Sequence, residues 1–125
     1  MYDKEFIREI LTQILKSADT ILYRFQPVKE VKDFADSPAG MEKLDSICMQ
    51  LIAMGESLKN IDKITDNSLL SQYPEVNWKG AKAMRDIIGH HYFEIDAEVI
   101  FDVCKNKLGA LRGAVIKMLT YIEKS

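Results

Sequence analysis

The chain has 125 residues, 47% of them hydrophobic, and a formal net charge of −2. That is enough apolar material for one domain over residues 1–125 with one core, able to fold without disulfides or a structural metal. The near-neutral balance excludes a molecule that is cationic all over, and no stretch approaches the ~20 apolar residues that span a bilayer.

The first ten residues, MYDKEFIREI, carry charges throughout and do not form a signal peptide, so a cytoplasmic protein is expected. From Phe6 to Leu22, apolar residues recur every three or four positions: Ile7, Ile10, Leu11, Ile14, Leu15, Ala18 and Ile21. That spacing predicts one long amphipathic helix. A polar connector, VKEVKDFADSP, follows and offers no distinctive feature until Ser37 and Pro38, which read as a cap and a first-turn proline. The second long helix carries Met41, Leu44, Ile47, Cys48, Leu51, Ile52, Leu58 and Ile61, and should end between Asp62 and Asp66.

TDNSLLSQYPEVN reads as a loop because Pro74 interrupts any continuous helix. Asn77 can cap a third helix that begins at Trp78, and Asp96 a fourth that contains Val99, Ile100, Val103 and Cys104. Leu108 to Ile122 repeats the apolar pattern. Gly109 and Gly113 leave open a fifth helix or a bent continuation of the fourth. Nothing alternates with the period of a half-buried strand, so the expected fold is all-α, an antiparallel bundle of four to five helices. Cys48 and Cys104 sit among apolar neighbours without zinc-ligand spacing and are expected to be buried free thiols.

The chemistry concentrates in RDIIGHHYFEID, Arg85 to Asp96, which holds both histidines of the chain. Arg85 and Tyr92, seven positions apart, lie on one side of a regular helix, with Trp78, Ala81 and Ile88. His90, five positions from Arg85, is turned about 140° away. The two meet over a substrate only if the helix loosens or ends near Gly89, or if a second copy of the chain completes the site. Residue by residue each also has a structural reading: a cap, a packed aromatic, a surface cation paired with Asp86. Around the motif, Lys79, Lys82 and Arg85 face only Asp86, and Lys105, Lys107, Arg112, Lys117 and Lys124 face only Glu123, so a local positive surface is compatible with the overall charge.

Arg-x-x-x-x-His-x-Tyr, here Arg85, His90 and Tyr92, resembles the signature of the HEPN superfamily and of its HepT branch. The flanks resemble that branch too: Gly55-Glu56 in the second helix, Pro74-x-x-x-Trp78 leading into the motif, a polar Asp86 after the arginine, and Tyr92-x-x-x-Asp96 leading out. The resemblance implies a homodimeric, metal-independent endoribonuclease with its cleft between two protomers. It makes His90 the general acid or base, because imidazole titrates near neutrality, and Arg85 the phosphate ligand. Asp86 would orient Arg85 or a histidine of the partner chain, His91 would be a supporting residue, and Gly55, Glu56 and Trp78 could line the cleft. No metal or other cofactor is implied. HepT-like toxins pair with an MntA-like nucleotidyltransferase antitoxin, which implies ATP-dependent adenylylation of Tyr92, adding bulk and negative charge beside His90. The alternative is a non-catalytic HEPN subunit that binds nucleotide or substrate for a minimal nucleotidyltransferase. A plain helical interaction module is a third. Intact Arg85 and His90 favour the nuclease, and the slightly acidic net charge weighs against a strong RNA binder.

Overall fold

A computed structural model describes residues 3–90 and 96–124, with the side chain of His90 outside the description. Every regular element among these residues is helical, as the periodicity predicts, and no helix is long and apolar enough to cross a membrane. Helix α1 spans Lys4–Phe25 and starts at Asp3, whose carboxylate accepts the N–H groups of Glu5 and Phe6. Its apolar stripe, Ile7, Ile10, Leu11, Ile14, Ala18 and Ile21, is buried, while Phe6 lies off the stripe and is half exposed.

The polar connector holds more structure than its composition suggests. Val31–Phe34 forms a 3-10 turn in which the side chains of Glu30 and Asp33 each accept the other's backbone N–H. The two backbone N–H groups that Asp33 accepts, from Lys29 and Glu30, hold its carboxyl below the usual range. The turn drives Phe34 into the core with no exposed surface, beside Phe25 at a centroid distance of 6.2 Å. Gly40 makes room: a Cβ there would lie 2.0 Å from the carbonyl oxygen of Asp33.

Helix α2, Pro38–Thr65, begins with the expected Ser37 cap, which accepts the Gly40 N–H at 3.0 Å, and with Pro38 in its first turn. It ends at Asp66, within the expected window and in the left-handed region at φ 52°. A second 3-10 turn, Leu70–Gln72, seals the next connector by burying Leu69 and Leu70.

Asn77 caps the next helix through its side-chain oxygen and the Gly80 N–H. The expected single helix through the motif is instead two: α3, Trp78–Lys82, and α4, Met84–His90. The interruption is at Ala83, where ψ is near zero and the N–H is shared between the carbonyls of Lys79 (3.1 Å) and Gly80 (3.2 Å). Such tightening is what a switch from α toward 3-10 bonding produces. Asp96 caps α5, Ala97–Asp102, which passes through a π turn at Val103–Lys107 into α6, Leu108–Lys124. The choice left open at Gly109 and Gly113 resolves as one continued rod whose irregularity lies before either glycine.

Among the described residues these six helical segments fall into four groups along the chain: α1, α2, α3 with α4, and α5 with α6. Glu56 pairs with Arg85 and Asp62 with Lys82, so α2 runs antiparallel to α3 and α4. Asp19 with Arg112, and Arg8 near Glu123, set α1 antiparallel to α6. One continuous core gathers apolar faces from all four groups. At roughly 1.5–3 kcal/mol for each large apolar side chain taken out of water, that burial is the main term opposing chain entropy.

Candidate functional site

The site is built at the seam between α2 and the α3–α4 pair. Gly55 permits the approach: a Cβ there would lie 2.8 Å from the carbonyl oxygen of Ala81, so backbone meets backbone. Two ion pairs flank this point, Asp62 with Lys82 on α3 and Glu56 with Arg85 on α4. Trp78 secures the entry to α3. It is 8% exposed and its indole N–H donates to the Tyr73 carbonyl at 2.9 Å, a satisfied core position at the helix start.

Arg85 projects from the first turn of α4 with 65% of its side chain exposed. Its Nη1 lies 3.3 Å from Oε1 of Glu56, longer than a tight charged hydrogen bond. Among the described residues, Glu56 therefore restrains the guanidinium on one side and leaves most of its donors open to an incoming anion. Glu56 also has Lys59 Nζ at 3.6 Å from the same oxygen, one helical turn along α2. Asp86 is exposed next to Arg85.

His90 closes α4. The helix is regular from Met84 to His90, so no loosening occurs within it; an end just past Gly89 would fall on residues outside the described ones, and the interruption that is described lies at Ala83, before Arg85. Positions 85 and 90 are consequently turned about 140° apart around one helix axis. His91 and Tyr92, and with them the supporting and modification roles read from the sequence, lie outside the described residues.

The structure therefore brings Glu56, Lys59 and Arg85 together, sets Gly55 beneath them as the contact that fixes the seam, and holds Trp78 inside the core. Lys59 was missed by sequence reasoning. Its signal was available, since it lies three positions after Glu56 and so on the same helix face. A separate cleft of about 300 Å³ opens between α2, α3–α4 and α5–α6. Leu51, Met54, Met84, Ile87, Val103 and Leu111 line it, and among the described residues it includes neither Gly55, Glu56, Trp78, Arg85 nor Asp86.

Comparison with known proteins covers the seam and the motif. The family model described as Ribonuclease HepT-like matches residues 14–118. A Methanocaldococcus jannaschii protein named "Putative RNase MJ0127" is 30% identical over 111 residues, 84% of this chain and 80% of that protein. A second from the same organism, "Putative RNase MJ1216", is 27% identical across 96% of this chain and 93% of its own length. The "Probable ribonuclease HepT" of Thermococcus cleftensis is 30% identical over 73 residues, 58% of this chain and 63% of that one. No solved structure matches. With the family model covering most of the chain, including Gly55, Glu56 and the stretch from Arg85 to Tyr92, the protein belongs to the HepT-like ribonuclease family.

Proposed function

We propose that this protein is a metal-independent endoribonuclease whose catalytic site is completed by two copies of the chain. The observation that carries the reading is the placement of Arg85: an exposed guanidinium, restrained on one side by Glu56, on the same short regular helix as His90. A regular α4 keeps positions 85 and 90 of one chain on different sides, which favours pairing the arginine of one copy with the histidine of another.

RNA supplies its own nucleophile. A base, His90 of one copy, takes the proton from the 2′-hydroxyl, whose oxygen attacks the adjacent phosphorus. The bond from phosphorus to the 5′-oxygen breaks, and the departing oxygen receives a proton from an acid, assigned to the other copy's imidazolium. Products are a 2′,3′-cyclic phosphate and a 5′-hydroxyl, with one proton removed and one returned. Arg85 binds the phosphoryl oxygens as charge develops on them, an interaction whose removal costs 10²–10³-fold in comparable sites. Asp86 and His91 support these groups.

The same reading makes the protein the toxin of a pair acting in the cytoplasm. A partner nucleotidyltransferase of the MntA type would transfer AMP from ATP to the Tyr92 hydroxyl with release of pyrophosphate. An adenylyl group two positions from His90 would fill the cleft and repel RNA phosphates.

The experiment is cleavage of RNA in EDTA by wild type and by His90→Ala, each prepared without the nucleotidyltransferase. Wild type alone should cut and leave cyclic-phosphate ends, and it should sediment as a dimer. Equal cleavage by both proteins, or none by the unmodified wild type, removes the catalytic assignment. Intact mass after co-expression with the transferase should rise by adenylyl increments that Tyr92→Phe abolishes.

A further inference from the structure

Arg85 is not the only cation at the seam. Lys59 Nζ lies 3.6 Å from Glu56 Oε1, and Arg85 Nη1 lies 3.3 Å from that same oxygen. The two cationic nitrogens can be no farther apart than those contacts laid end to end. Both side chains are open to solvent, Lys59 at 41% and Arg85 at 65%, so both can reach a ligand. One carboxylate between two cations leaves the trio with a net positive charge. Lys63 follows on the next turn of α2, exposed, and makes no ion pair among the described residues. Lys82, by contrast, is already committed to Asp62.

We propose that Lys59 and Lys63 bind the backbone phosphates that neighbour the one held by Arg85, so that the C-terminal half of α2 is the path of the RNA strand. This rests on the ribonuclease reading above and assigns the strand its direction. Lys59 and Lys63, four positions apart, are separated by ~6 Å along the helix axis, a spacing on which consecutive charges of a strand can be met in turn. Lysine suits the task because a compact ammonium on a flexible stem contacts phosphate as a point charge without requiring one base or one sugar geometry. Glu56 has a second consequence here. Without RNA it holds the like charges of Lys59 and Arg85 close together, so the phosphate-binding pair is assembled before the strand arrives.

The test is single-strand RNA binding across a salt series, in the His90→Ala background so that nothing is cut. The comparison is with the same protein carrying Lys59→Gln, Lys63→Gln, or Lys16→Gln on α1. Each of the first two should flatten the dependence of log affinity on log salt by about 0.7, the single-strand value for one lost phosphate contact. The loss should be equal for RNAs of unrelated sequence. Lys16→Gln should leave the slope unchanged. In the cutting protein, Lys59→Gln should raise KM several-fold and hold kcat within about twofold. Unchanged slopes in both α2 variants, or an equal loss in Lys16→Gln, would overturn the proposal. Lysine-dependent binding by a wild type that cuts nothing supports the strand path and overturns the nuclease reading instead.

Discussion

At the scale of single residues, Arg85 is the position where the proposed chemistry and the stability of the fold separate. Its ion pair with Glu56 is 3.3 Å long and exposed on the arginine side, a geometry that contributes roughly 0–1 kcal/mol to folding. Replacing it should therefore leave the melting temperature nearly unchanged while removing the fork of donors a phosphoryl group needs. Arg85→Lys keeps the charge and loses the fork, so cleavage should fall about 10-fold or more, and Arg85→Ala should lose ~10²–10³. Melting curves and initial rates on the same preparations check both halves. A large fall in stability would mean that the guanidinium is structural. Arg85 stood out in the sequence through the family resemblance, which gives it the expected role of phosphate ligand. Glu56 was named there as possible cleft lining, but its pairing with Arg85 was not legible, because the two lie 29 positions apart and no local spacing predicts which turns of two helices come into register.

Among the elements, the helices and their caps were readable and the joints between them were not. Ser37, Asn77 and Asp96 each sit where a short polar side chain precedes an apolar run, and each caps the helix it precedes. The connector around Phe34 defeated the same reasoning: one aromatic in a charged stretch shows no periodicity, yet a 3-10 turn suffices to bury it. The interruption at Ala83 also has no marker in the sequence, since alanine is the best of helix formers. Glycine is the clearest instance of sequence ambiguity, for its meaning depends on what lies opposite. Gly55→Ala would press a methyl against the Ala81 carbonyl, a backbone atom that no rotamer change can clear. The overpacking cost of ~1–3 kcal/mol outweighs the helix-propensity gain of up to ~1 kcal/mol, so the melting temperature should fall by a few degrees. Cleavage should fall with it as α4 shifts. Gly113→Ala meets open space and should raise the melting temperature instead. Calorimetry on the two variants separates the cases.

For the whole molecule, the core sets the pH range in which the fold is tolerant. Cys48 on α2 and Cys104 in the π turn are both buried free thiols, as their apolar neighbourhoods predicted. Burial, with a smaller contribution from Asp45, pushes the Cys48 thiol up to about 11. Burial and the nearby Cys48 push Cys104 up to about 12. In the unfolded chain both ionise near 9, so between that pH and 11–12 the folded state holds more protons than the unfolded one. Their contribution to stability is thus intact below about pH 9 and is lost as pH rises through the folded values. Denaturant midpoints should decline from pH 9 to 11, and the decline should be shallower in Cys48→Ala/Cys104→Ala. At pH 8 neither thiol should react with an alkylating reagent until the protein unfolds.

The π turn at Val103–Lys107 bears on how long this chain must be. Such a turn is an α-helix that has accommodated one surplus residue by widening a single loop of its spiral. The surplus is absorbed locally, so everything downstream keeps its rotational phase. Removing Asn106, an exposed residue whose side-chain amide donates to Asp102, should collapse the bulge to ordinary α geometry. Leu108, Leu111 and Val115 should still point inward after the deletion. Removing a residue from the middle of α6 should instead swing everything beyond it by about 100° and unfold the protein.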